Sequence, residues 1–225
     1  MAPGAPGSGV RRRSWNPPPL AALPPLSRLD AVLRRAARDL DDLGRPWALV
    51  GALAVSARAE PRFTRDVDLV VAVTSDDDAE RVVRDLQGRG YRLEAIVEQE
   101  ATRRLATARL APPEEALVVL DALFASSGIE PEIAQEADTL EILPGVRVPV
   151  ATTGHLIALK ILARDDRTRP QDRVDLVALA AAAGLEDIEQ ARAALALIAH
   201  RGFHRGKDLM ADLEEFLRTQ RPARP

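Results

Sequence analysis

The chain has no cysteine. Disulfides and thiolate-held metals are therefore excluded, and a reducing, cytoplasmic setting is expected. Aromatic residues make up only 3% of the sequence, which is instead rich in Ala, Leu, Val and Arg. We read that bias as GC-rich coding, so an alanine-rich helix carries less information here than usual. No apolar run approaches the roughly 20 residues of a membrane-spanning helix, so no membrane partner is expected. A dominant charge is also missing. The formal net charge is −3, which leaves no global footprint for nucleic acid and only local basic surfaces to consider. There is no Walker-type loop and no serine–histidine nucleophile. His155, His200 and His204 show no metal-ligand spacing, and His155 reads as a capping-region residue at a helix start. The cluster Arg11-Arg12-Arg13 is followed by prolines rather than by an apolar signal core. Residues 1–25 are therefore expected to form a disordered leader, its arginines solvated rather than bound to nucleic acid.

What is present fits a globular protein. The 225 residues are 46% hydrophobic and 29% charged, with room for one sizeable core or two small subdomains. Residues 27–43 carry a helical stripe through Leu29, Val32, Leu33, Ala36 and Leu40, with Ser27 as cap and Gly44 and Pro46 as stop. A short apolar strand over 47–50 runs into Gly51 and a small-residue helix reaching about Ala59. A strand over 67–73 and a helix over 76–89, capped by Ser75, follow. Strand character recurs over 91–97, 101–110 and 117–124, with Pro112-Pro113 between the last two as a hairpin connection. Shorter strands are expected over 139–143 and 146–150. After Thr152 the pattern is helical throughout, over 153–164, 171–183, 186–200 and 206–219. This predicts an α/β fold, a mixed sheet with flanking helices, followed by an all-helical C-terminal subdomain. The expected division is a core over 26–150 and a helical subdomain over 151–225.

The densest chemistry lies at Arg62-Phe63-Thr64-Arg65-Asp66-Val67-Asp68-Leu69. Residues i and i+2 of a strand share a face, so Asp66 and Asp68 present paired carboxylates while Val67, Leu69 and Val71 face the other way. Two carboxylates this close repel unless a cation lies between them. Mg²⁺ is the simplest choice, because it is held by one or two carboxylates together with substrate phosphates. The spacing thus points to metal-assisted transfer of a nucleotidyl or phosphoryl group. An ordinary salt bridge from Asp66 to Arg62 or Arg65 is the simpler alternative.

Gly51-Ala52-Leu53-Ala54 followed by Arg62-x-Thr64-x-Asp66-x-Asp68-Leu69 resembles the polymerase-β-type minimal nucleotidyltransferases, above all the AbiEii/AbiGii toxin-like branch. Lys160 and then Asp172-Arg173-Val174-Asp175-Leu176 resemble that branch's K…D-x-x-D-L segment. The resemblance spans about 47–179. It implies a nucleotidyltransferase fold and Mg²⁺-dependent transfer of an NMP from an NTP to a hydroxyl of an RNA, a protein or a small molecule. It also implies toxicity held in check by a cognate antitoxin chain. Gly51 and Ala52 would lie at the triphosphate, at a turn that exposes backbone N–H groups. Ala52 stands where the branch usually has glycine or serine, so a serine hydroxyl contact to phosphate is missing. Asp66 and Asp68 would hold Mg²⁺. Arg62 and Thr64 would shape the loop before the strand, with Arg62 able to reach a phosphate.

A third carboxylate is expected on a neighbouring strand. Asp121 is the candidate, being the only charge in the apolar run 117–124. It would complete a metal triad and serve as base; a turn-capping aspartate is the alternative. Lys160 lies on an apolar helix, where it would either snorkel to solvent or contact nucleotide phosphate. Asp172 and Asp175, spaced i, i+3, could pair with Lys160 or nearby arginines, structurally or to position substrate. Arg164, Arg167, Arg169 and Arg173 make this region locally basic. The competing reading is a catalytically degenerate protein of the same fold with a binding or regulatory role. Convergence of the three aspartates within metal-bridging reach discriminates between the two.

Overall fold

The computed structural model describes residues 28–113, 118–165, 168 and 170–220. The leader over 1–25, the cap Ser27, Leu117, Arg167 and Arg169 lie outside the described residues. The described chain runs α1 (Arg28–Asp42), β1 (Trp47–Val50), α2 (Gly51–Arg58), β2 (Asp66–Val71), α3 (Asp76–Gly88), β3 (Arg92–Glu98), β4 (Leu105–Ala111) and β5 (Val119–Leu123). It continues with α4 (Glu130–Gln135), β6 (Asp138–Leu143), β7 (Val146–Val150), α5 (Thr153–Ala163), α6 (Pro170–Ala182), α7 (Leu185–His200) and α8 (Leu209–Gln220). The strands form one mixed seven-stranded sheet in the order β3-β4-β5-β2-β1-β7-β6. The fold is therefore α/β, with helices flanking a mixed sheet and only helices after β7.

The most apolar strands lie at the centre of the sheet. All of β1 is buried, and so are Val67, Leu69, Val70 and Val71 of β2. β1 and β2 are antiparallel, whereas β2 and β5 are parallel. One continuous apolar cluster joins these strands to α1, α3, α5, α6, α7 and α8. The edge strand β3 is mostly exposed, in keeping with its charged Arg92, Glu94 and Glu98.

Local signals set most of the boundaries. Ser75 caps α3 by accepting from the Asp78 N–H, and Thr152 caps α5 by accepting from the His155 N–H. His155 is thus a buried cap residue, and burial pushes its imidazole pKa down. Two segments and one helix depart most from the sequence expectation. Residues 101–104 form a turn rather than strand, because the Gln99 side chain accepts from the Thr102 N–H and hydroxyl while Arg103 takes a positive φ of 57°. α8 starts at Leu209 instead of 206, since Gly206 has φ 72° and Asp208 accepts from the Ala211 N–H at its first turn. The short helix α4 was not expected. Its start carries Pro131 in the first turn, and the buried Glu130 carboxylate accepts from the Ser127 N–H and hydroxyl and from the Gly128 N–H just ahead of it.

Candidate active site

The junction of β1 and α2 has no linker. Val50 ends the strand and Gly51 opens the helix with φ 64°, a conformation side chains disfavour. Val50 pairs with Asp68, so the turn lies against that carboxylate. A Cβ on Gly51 would stand 1.9 Å from Asp68 Oδ2, which leaves glycine as the residue that fits. Ser56 donates to the Ala52 carbonyl and accepts from the Arg62 N–H, tying α2 to the loop ahead of β2. Thr64 closes that loop, its hydroxyl accepting from the Asp66 N–H at 3.3 Å.

β2 and β5 are in register with Asp68 beside Asp121. Parallel partners share a face, so Asp66, Asp68 and Asp121 all line one cleft of about 480 Å³. The same cleft is lined by Gly51, Ala52, Arg62, Thr64, Lys160 and Asp172. The three aspartates therefore converge on one cleft rather than on separate surfaces. Burial is the main reason the Asp68 carboxyl is pushed up to about 6, and repulsion from Asp121 and Asp66 adds to it. Lys160 and Arg62 pull in the opposite direction but lose. Among the described residues, neither the Asp66 nor the Asp68 carboxylate has a hydrogen bond or ion pair. The salt-bridge alternative is thus not what forms: Arg62 turns instead to Asp175, Nε to Oδ1 at 2.8 Å.

Asp121 does have a partner. Arg109 of β4 stands opposite it and donates through Nε and Nη2 at 2.9 and 2.7 Å. These two bonds raise the Arg109 pKa, so the guanidinium remains charged. No three His, Cys, Asp or Glu side chains among the described residues stand in metal-coordinating geometry. The chemistry of the donors still suits a hard cation. Three carboxylates share one cleft, and two of them form no ion pair among the described residues.

Lys160 does not snorkel. Its ammonium bridges Asp172 and Asp175, each at 2.7 Å, inside the α5–α6 interface. Both aspartates are buried, at 2% and 1% exposure, and Asp175 also receives Arg62. Burial pushes the Asp175 carboxyl up, yet Lys160 and Arg62 outweigh it and hold the pKa below the usual carboxylate value. Lys160→Met is expected to destabilise the fold by about 3 kcal/mol, because two buried carboxylates lose the cation they share. Urea unfolding at pH 7.5 measures this. The loss should shrink in acid as Asp175 takes up its proton, because its depressed pKa gives stability that is lost as pH falls through the folded value. Equal stability of variant and wild type at pH 7.5 would refute the buried network.

Sequence reasoning missed Arg109, Ser126, Ser127, Thr168, Gln171 and Arg205, all of which line the cleft. Arg109 alone had a signal. It is the one charge in the strand 105–111, as Asp121 is in the next strand, and a hairpin can place opposite charges face to face. The others come from loops and turns that only the packing brings together.

A glycine turn apposed to convergent carboxylates provides backbone amides for phosphate beside oxygen donors for a cation. A nucleotidyltransferase needs both. The family model "Nucleotidyl transferase AbiEii toxin, Type IV TA system" matches residues 32–224, and the chain belongs to that family. The protein is accordingly an enzyme that transfers nucleoside monophosphate units. Among solved structures it is similar to an antigenic nucleotidyltransferase-like protein from Paracoccidioides brasiliensis, at 23% identity and TM-score 0.47, covering 83% of this chain and 92% of that one. It is also similar to the antibiotic-resistance factor ANT(2'')-Ia, at 15% identity and TM-score 0.49, covering 84% and 96%. A third is the CCA-adding enzyme of Thermotoga maritima, at 16% identity and TM-score 0.32, covering 85% and 51%. No curated protein matches the sequence. No helix among the described residues is long and apolar enough to cross a membrane.

Proposed function

We propose that the chain moves an NMP from an NTP to a hydroxyl of an acceptor in a Mg²⁺-dependent reaction, as the toxin of a toxin–antitoxin pair. One observation carries the metal reading: Asp66 and Asp68 face a cleft beside Asp121, and among the described residues neither carboxylate has a hydrogen-bond or ion-pair partner. Asp66, Asp68 and Asp121 would hold the ion. When bound, Mg²⁺ would orient the triphosphate and offset charge as pyrophosphate leaves.

The chain's own groups supply the rest. The N–H groups at the α2 start meet phosphate, and Gly51 lets it come close to the backbone. Ala52 offers no hydroxyl there, so backbone and Lys160 hold the triphosphate. Asp172 and Asp175 fix Lys160 at the cleft wall. Arg62, held by Asp175, presents its remaining donors to the cleft. Asp121 would accept the proton of the acceptor hydroxyl as its oxygen attacks the α-phosphorus. In this reading, residues 151–225 act as a helical subdomain that forms one side of the nucleotide cleft.

The acceptor is a tRNA end, a protein side chain or a small molecule. A second hollow of about 620 Å³ meets the first at Ser126 and Arg205, and we assign it to the acceptor. Glu98, Glu100, Thr107 and His204 line it. The cytoplasm is the site of action, where NTP and Mg²⁺ are at hand, and an antitoxin chain is the regulatory partner.

Titration calorimetry with each NTP, with and without Mg²⁺, tests the site beside Asp66→Ala/Asp68→Ala. Mg²⁺-dependent binding is expected for the wild type, with at least about a hundredfold loss in the variant. Wild type that binds no NTP at millimolar concentration would overturn the proposal and favour a degenerate site. Transfer of label from α-³²P-NTP to tRNA, protein or small-molecule fractions then identifies the acceptor.

A further inference from the structure

Arg109 has no part in the reaction as set out above, yet it holds both oxygens of Asp121 in one fork. The pair differs from an ordinary cross-strand ion pair in its neighbours. Asp121 is the register partner of Asp68, and all four side chains line the same cleft. Asp66 and Asp68 also attract the Arg109 charge. The other cations of the cleft are anchored differently. Lys160 and Arg62 rest on Asp172 and Asp175, which lie on α6, and Arg205 donates to the Ser126 carbonyl and hydroxyl. Arg109 is the cation whose partner is itself a candidate metal ligand. Its side chain is 48% exposed, against 13% for Asp121, so it has open space to turn into.

We propose that Arg109 is a resident counter-ion of the metal site. It neutralises Asp121 before substrate arrives and is exchanged there when the divalent ion and nucleotide bind. The released guanidinium then grips a phosphate oxygen of the nucleotide. A divalent ion drawing on Asp121 competes for the same oxygens, and a guanidinium fork matches phosphate as well as it matches carboxylate. One side chain thus serves two states. It limits the repulsion among three neighbouring carboxylates, and it adds a phosphate contact once the metal has taken over that task. The inference rests on the metal reading above, and the test separates the two.

The full chain is titrated with Mn²⁺ alone, by calorimetry, as wild type, Arg109→Gln, Arg109→Lys, Asp121→Asn, Arg109→Gln/Asp121→Asn and Asp66→Asn. Arg109→Gln is expected to bind Mn²⁺ about fivefold more tightly than wild type, since a competing charge is gone. Arg109→Lys keeps the charge without the fork and is expected to fall between them. In the Asp121→Asn background the glutamine substitution should change Mn²⁺ affinity less than about twofold. A merely structural pair would lower the melting temperature without that coupling. With Mg²⁺ and each α,β-methylene NTP, which resists cleavage, Arg109→Gln should bind about tenfold more weakly than wild type. The two affinities therefore move in opposite directions.

Suppose Arg109→Gln binds Mn²⁺ no more tightly than wild type while Asp66→Asn loses it. The counter-ion role is then wrong and the metal site stands. If wild type binds no Mn²⁺, the metal reading fails and this proposal with it. Unchanged affinity for the NTP analogues would overturn the phosphate contact. If Arg109→Gln fails to fold by circular dichroism, Arg109→Lys decides, and affinity equal to wild type overturns the exchange.

Discussion

Asp68→Asn is expected to abolish NMP transfer and, without metal, to make the protein more stable. The activity loss should reach about 10³-fold, the scale set by removing a group that positions charge stabilisation at a reacting phosphate. The stability gain comes from the same side chain. Burial, with repulsion from Asp121 and Asp66, raises the Asp68 carboxyl from 3.8 to about 6. At neutral pH that elevation corresponds to roughly 3 kcal/mol of destabilisation by the charged form. The sign follows from proton binding: the folded state holds this proton more tightly than the unfolded state does. The group therefore costs nothing below 3.8, costs progressively more as pH rises through about 6, and its full amount above. Asparagine keeps the shape and removes the charge. Urea unfolding in EDTA should show a gain of about 1–3 kcal/mol at pH 7.5 that vanishes near pH 4. Added Mg²⁺ should stabilise wild type and leave the variant unmoved. A variant less stable than wild type at pH 7.5 would mean that Asp68 is held by protein contacts rather than left for a cation.

Gly51→Ala should have the next largest effect, for a steric reason. The new Cβ would meet Asp68 Oδ2 at 1.9 Å and Cγ at 2.6 Å, and φ of 64° adds strain that alanine resists. One of the two neighbours must shift, and Asp68 is the side chain free to do so. We expect a stability loss of about 1–3 kcal/mol and loss of Mg²⁺-dependent NTP binding. The pair can be tested as a cycle. Gly51→Ala/Asp68→Ala removes the carboxylate that the methyl strikes, so it should be more stable than Gly51→Ala alone, by about 1 kcal/mol or more, and remain inactive. Strict additivity of the two changes would show that the close approach is not the source of the loss.

The local part of the site was legible because it depends only on chain geometry. A strand repeats every second residue, so Asp66 and Asp68 had to share a face whatever lay beside them. Gly51 between a short apolar strand and a small-residue helix marked the turn, though its tight contact with Asp68 did not show. Asp121 could be singled out as the lone charge in an apolar strand, but not its partner. That required the β4–β5 register, which joins Arg109 to Asp121 across a proline-containing connection. Lys160 was open between solvent and phosphate. Packing of α5 on α6 set the solvent reading aside, by placing two buried aspartates against the ammonium.

The sequence alone determined the alternation of strand and helix, the pairing of two carboxylates on one strand face, the glycine turn and the family. Each follows from periodicity, turn chemistry or motif spacing within a short stretch of chain. The tertiary structure decided which distant groups meet. The parallel pairing of β2 with β5 put Asp121 beside Asp68, and the antiparallel pairing of β4 with β5 gave Asp121 a guanidinium partner. The α6 aspartates claimed Lys160 and Arg62 away from Asp66 and Asp68. Electrostatic partnership depends on distance through space, and a one-residue slip in strand register would reassign the pairs made between strands.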